Sequence, residues 1–238
     1  MPSMASGTAP SIPRSPAPPR LEEPSAPRTG LPGPDELVEA ADLSGADWSA
    51  AVLEGVDLSA VGARSMSTQQ CSWDHSQWAD VALDSCDLAA SSWRDSGWQR
   101  TQMSECRLTG AVLSGCSLED VWLRGCLLDM AQFRFASLRR VRFSGCRMSG
   151  VDFTSAHLEE VVLTDCRLDR AEFHQVRITG RRSSRGSRPG PGLIIEGGSM
   201  DGLAGADQLR GAAVDPVHLD TLGTLLAGAA GIRLELPG

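Results

Sequence analysis

Cysteine is the residue type of this chain best suited to chemistry, and five of its seven cysteines, Cys86, Cys106, Cys126, Cys146 and Cys166, recur at steps of twenty. A column of thiols suggests soft-metal binding or disulfide exchange. Steps of twenty along one wall, however, give a line of sulfurs and not the tetrahedral cluster that zinc prefers. Together with Cys71 and Cys116 they hold positions that elsewhere carry Ala or Val, the pattern of small buried hydrophobes. The expectation is therefore seven free thiols, with no metal, no cofactor and no catalytic residues.

Other reactive side chains are less organised. His75, His157, His174 and His218 are too scattered for a ligand set or a triad, and are expected at the surface or in a cap. Trp73 and Trp93 share one column and Trp78 and Trp98 another, which would suit base or sugar stacking, but their inward phase predicts core. Small Ala63 and Thr68 on the facing sides match that bulk. Trp122 falls on an outward position and is a candidate contact residue. Residues 181–188 carry four arginines among Ser and Gly. An anion clamp, or a catalytic site assembled on this loop, competes there with a flexible solvated linker, which is the favoured reading.

Composition narrows the partners. A net charge of −8 over 238 residues argues against direct nucleic-acid binding. All 22 basic residues are arginine and tyrosine is absent. No apolar signal region opens the chain, although Met4 rivals Met1 as the start, and no stretch reaches the roughly 18 apolar residues of a membrane span. The reading is cytoplasmic, with reduced thiols and no membrane contact.

The elements that position these residues follow from an internal repeat. Ala41, Asp42, Leu43, Ser44 and Gly45 are followed by Ala46, Asp47, Trp48, Ser49 and Ala50, and the frame continues for 28 repeats to Gly180. The third residue is large and apolar in 26 of them, Ala63 and Thr68 being the departures, and the first is small in all but Met66. Neither a helix of period 3.6 nor a strand of period 2 keeps such a pattern in phase. A chain that turns a corner every five residues does.

A second period of twenty appears in the cysteine column, in Val121, Val141 and Val161, and in Phe133, Phe153 and Phe173. Four repeats thus make a coil and the 28 make about seven, a rod of roughly 30 to 35 Å at the usual strand spacing. The alternation of small, polar and large residues in stretches such as 41–60 resembles the pentapeptide-repeat family. That resemblance implies an all-β fold: a right-handed quadrilateral parallel β-helix with the third residue of each repeat filling its centre.

The flanks read differently. Residues 1–34 are Pro-rich and predict a disordered tail, with the β-helix running over 35–180. The frame resumes at Leu193, Ile194, Ile195, so that a flexible loop over 181–192 gives way to a final irregular coil over 193–214. From 215 to 238 a capping helix is expected, with Asp215 as N-cap, Pro216 at its first position and Val217, Leu222, Leu225, Leu226 and Ala229 on one face. The cap would cover the open end of the solenoid, and Leu222, Leu225 and Leu226 would also suit a C-terminal homodimer.

The family resemblance implies a non-enzymatic protein–protein interaction scaffold. An alternative comes from members that resemble B-form DNA, bind DNA gyrase as C-terminally paired dimers and protect against quinolones. The run Leu209, Arg210, Gly211, Ala212, Ala213, Val214, Asp215, Pro216 resembles the matching segment of a mycobacterial quinolone-resistance member. Residues 41–100 hold nine carboxylates against three arginines, and 101–180 ten of each. The candidate surface is therefore Asp42, Asp47, Asp57, Asp84 and Asp87 with Trp122. Arg139, Arg140, Arg142, Arg147, Arg167, Arg170 and Arg177 would interrupt a phosphate-like surface.

Overall fold

A computed structural model describes residues 15–21, 27–180 and 190–232. Its strands form one all-parallel sheet that winds into a solenoid of about eight turns. Strand β1 (Leu37–Glu39) starts the stack, followed by the eight-residue strands β2 (Asp57–Arg64), β3 (Gln77–Asp84), β4 (Gly97–Ser104), β5 (Ser117–Arg124) and β6 (Ser137–Ser144). Each pairs in register with the residue twenty positions on, as in Trp78 with Trp98 and Val121 with Val141. On the other two faces the coils join through single bridges, for example Asp87 to Arg107 and Val112 to Gln132.

The fivefold period has a backbone cause. Every fifth residue from Ala40 to Gln175 is left-handed, with φ between 46° and 73°. That conformation turns the chain through a corner, and it costs an L-residue about 1–2 kcal/mol. Most corners are nevertheless not glycine, so the stacking of coils holds them there. The first and third residues of each repeat point inward between corners, and Leu43, Leu108, Phe133, Val141 and Phe173 are all fully buried.

Beyond β6 the ladder splits into β7 (His157–Glu159) and β8 (Val161–Thr164), with β9 (Arg177–Thr179) on β7 and β10 (Leu193–Glu196) on β8. Leu193 pairs with Val161, 32 residues earlier, so twelve residues are inserted into one coil. Thr179 still pairs with Glu159, and the Gly192 carbonyl accepts from the Val161 amide. The insertion therefore leaves one corner between Thr179 and Gly192. The arginines of 181–188 lie outside the described residues.

Strand β11 (Ala212–Val214) completes the sheet, and a 3-10 turn, Pro216–His218, leads into helix α1 (Leu219–Ala229). Asp215 caps the 3-10 turn by accepting from the Val217 amide at 3.0 Å, and α1 proper starts four residues after Asp215. The expected single apolar stripe is thereby divided. Leu222 and Leu225 pack partly against the core, whereas Val217, Leu219 and Leu226 stay exposed.

At the other end, residues 27–34, assigned from composition to the tail, take part in the first coil. Pro27 bridges Asp42, Arg28 pairs with Glu36 at 2.7 Å, and the Trp48 indole donates to the Thr29 carbonyl at 2.9 Å. Residues 15–21 lie along the outside of the rod, while 1–14 and 22–26 are outside the described residues. No described helix is long and apolar enough to cross a membrane.

Candidate interaction surface

All seven cysteines are buried and free. Burial pushes the Cys71 thiol up to about 11 and the Cys116 thiol up to about 12. In the column, neighbouring thiols and burial raise Cys86, Cys126 and Cys166. Among the described residues no three metal-ligating side chains converge.

The small-hydrophobe reading omits a polar role, however. Cys71 Sγ donates to the Trp48 carbonyl at 2.7 Å and Cys116 Sγ to the Trp93 carbonyl at 2.6 Å, both 23 residues back. Ser76 and Ser96 make the same bond to Leu53 and Trp73, at 3.2 and 2.9 Å. The first position thus favours a small side chain that can satisfy a carbonyl of the coil below.

The tryptophans belong to the core as expected. Trp73, Trp78, Trp93 and Trp98 are buried, with Trp78 stacked on Trp98 at 5.5 Å and edge-on to Trp73 at 4.9 Å. Of the histidines, His218 is buried and its Nε2 bonds the Gly197 carbonyl at 2.9 Å, fastening the C-terminal turn to the last coil. His157 Nε2 reaches Thr179 Oγ1 at 2.7 Å, and His75 stands 3.9 Å from Glu54.

The outward carboxylates are not a uniform field. Asp42 accepts from the Ser44 hydroxyl and amide, and Asp47 likewise from Ser49, bonds that hold both carboxyls below the usual range. Asp57 accepts from the Gln77 amide at 2.6 Å. Asp84 and Asp87 face Arg64 and Arg107, at 3.7 and 3.3 Å. Charge counted by segment hides the fact that arginines sit one coil from their carboxylates. Arg100 pairs with Asp80, Arg139 with Glu119 and Arg140 with both Glu119 and Asp120. Within residues 101–180 Arg147 also meets Asp129, and Arg167 stands 3.9 Å from Asp169.

Exposed apolar side chains mark two further regions of the rod. Trp122 is 37 % exposed, with Gln102 below it and Arg142 above in the same ladder. Met130 and Phe135, 63 % and 70 % exposed, occupy consecutive left-handed corners of one coil and so bracket a single face. Gly150, one coil above Met130, leaves room for it, since a side chain there would meet the Met130 sulfur at 2.6 Å. Position in the repeat placed Met130 and Phe135 outward, but only their size distinguishes them from other corner residues.

A family model, the pentapeptide repeat region, matches residues 76–144 and 119–182. No curated protein matches the chain in sequence. Among solved structures, HetL, a pentapeptide repeat protein involved in heterocyst differentiation regulation in the cyanobacterium Nostoc, is 20 % identical. That match covers 76 % of this chain and 90 % of HetL, with a TM-score of 0.43. The plasmid-mediated fluoroquinolone resistance protein QnrB1 is 15 % identical over 81 % of this chain and 91 % of its own, with a TM-score of 0.33. A thylakoid-lumen pentapeptide repeat protein of Arabidopsis thaliana is 24 % identical over 48 % of this chain and 66 % of its own, at 0.21. With a frame of five that runs unbroken from Ala41 to Gly180, a left-handed corner at every fifth residue and the family model matching the centre of that run, the chain belongs to the pentapeptide-repeat proteins.

Proposed function

We propose that this protein is a non-enzymatic interaction scaffold, which binds a protein partner through the face bracketed by Met130 and Phe135. The observation that carries this reading is the exposure of those two large apolar side chains on a rod whose other large apolar residues are mostly enclosed. The two flank the outward side chains of Gln132 and Arg134, and exposed apolar side chains grouped with polar ones on one face are a mark of contact sites. Both residues sit at left-handed corners, where glycine is at least as well tolerated as any L-residue. Met130→Gly with Phe135→Gly should therefore remove the contact and spare the fold. Affinity capture with the wild-type chain is expected to recover a partner that the double variant loses. Identical sets of captured proteins would contradict the proposal.

A second reading, a DNA mimic directed at gyrase, draws on one observation: Asp42 and Asp47, on successive faces of the first coil, are held ionised chiefly by Ser44 and Ser49, with Arg64 a minor contributor at Asp42. The arginines clasping Asp80, Asp87, Glu119 and Asp120 favour the scaffold instead. The mimic requires inhibition of gyrase supercoiling that weakens with salt and with Asp42→Asn and Asp47→Asn. No effect at low salt would exclude it.

A further inference from the structure

Residues 15–21 include Pro16, Pro18 and Pro19, and proline fixes its own φ while driving the residue before it to extended backbone. Ser15 through Pro19 are accordingly biased to polyproline II. This segment lies on the rod at two polar anchors: the Ala17 amide donates to Asp120 Oδ1 at 3.3 Å and the Arg20 amide to Asp80 Oδ1 at 2.9 Å. Beside these anchors, Pro16, Ala17, Pro18 and Pro19 close a cleft of about 250 Å³ whose floor is Thr101, Gln102 and Trp122. Leu21 continues into a neighbouring cleft of about 450 Å³ that includes Gly62, Ala82 and Leu83.

The spacings of strap and rod agree. Ala17 and Arg20 are three residues apart, which is about 9.3 Å in polyproline II. Asp80 and Asp120 are two coils apart in one column, which is about 9.6 Å at the strand spacing. The intervening coil presents Arg100, already committed to Asp80, so acceptors occur on alternate coils. An exposed indole beside such a row is the surface on which proline-rich segments dock elsewhere. The Arg20 charge adds to the anchors, helping Arg100 to hold the Asp80 carboxyl below its usual range.

We propose that the corner bearing Asp80, Asp120 and Trp122 is a docking groove for a proline-rich segment in the polyproline II conformation, and that residues 15–21 of this chain occupy it as an intramolecular strap. This goes beyond the scaffold proposal and shares no contact residue with it, because Met130 and Phe135 lie outside the groove. Proline-rich segments of other proteins would then compete with the strap for the same anchors.

The test uses the full chain labelled with 5-fluorotryptophan, whose six indoles are read by fluorine NMR and the Trp122 signal assigned with Trp122→Phe. Pro16→Ser, Pro18→Ser and Pro19→Ser together should move the Trp122 resonance toward its solvent-exposed position and leave the five buried indoles unchanged. A synthetic peptide of residues 15–21, added at millimolar concentration to that variant, should return the resonance in a saturable way. An unchanged Trp122 resonance in the triple variant, or a shift that the peptide fails to reverse, overturns the groove. A wild-type resonance that moves on dilution overturns occupancy by the chain's own segment.

Discussion

Arg100 lies one coil above Asp80 and grips both of its carboxylate oxygens, Nε to Oδ1 at 2.7 Å and Nη2 to Oδ2 at 2.6 Å. Arg140 repeats the arrangement on Asp120, with Nε to Oδ1 and Nη2 to Oδ2 both at 2.7 Å. Bidentate pairs of this kind are the strong form of the ion pair. A chain of net charge −8 thus carries a corner in which acid and arginine alternate from coil to coil.

These pairs predict an acid limit. Arg100 holds Asp80, Arg139 and Arg140 hold Glu119, and Arg140 holds Asp120, each below the usual carboxylate range. A depressed folded pKa gives stability that is complete above the unfolded value of about 4 and is lost as pH falls through the folded value. Urea midpoints should accordingly be flat from neutral pH down to about 5 and decline below about 4. Asp80→Asn, which leaves Arg100 without its carboxylate, should cost about 1–2 kcal/mol at neutral pH and reduce that decline.

Thr101 makes a second prediction. It is buried in a valine column, paired with Val81, and its hydroxyl has no hydrogen-bond partner among the described residues. Thr101→Val keeps the shape and removes the orphaned group, so a gain of about 1 kcal/mol and a rise in Tm of a few degrees are expected. A lower Tm would mean that the hydroxyl is satisfied within the core.

The frame of five and the coil of twenty were legible in the residues because inward positions are chemically restricted, as Phe133, Phe153 and Phe173 show. Their stacking at 5.2 and 5.1 Å follows directly from that spacing. The left-handed corner was not legible: Arg100, Phe135 and Gln175 adopt it as readily as Gly45, since the stacked coils and not the residue type impose it. Nor was the first-position carbonyl bond, for Ser and Cys read as merely small. The surface was the least legible part. Pairs such as Arg100 with Asp80 are twenty residues apart, and counting charge by segment hides them.

Thiol reactivity checks the interior. With Cys71 and Cys116 raised to about 11 and 12 by burial, a disulfide reagent at neutral pH should react no faster than the rod opens. All seven thiols should titrate in denaturant. Rapid modification of the native protein would contradict the packing described.

The C-terminal end supports a proposal of self-association. Val217, Leu219 and Leu226 are exposed beside Leu222 and Leu225, which only partly reach the core. Light scattering is expected to show a dimer, and Leu226→Asp with Val217→Asp a monomer of unchanged Tm. A wild-type monomer at micromolar concentration would leave α1 as a cap alone.

The scaffold proposal is tested most directly by hydroxyl-radical footprinting of the chain, free and in complex with the partner recovered by capture. Met130 and Phe135 are readily oxidised side chains that stand outside the rod, so both should label quickly when free. Both rates should fall several-fold in the complex, while that of exposed Val52, near the other end of the rod, does not change. Protection elsewhere on the rod, with Met130 and Phe135 still labelled at the free rate, would contradict it.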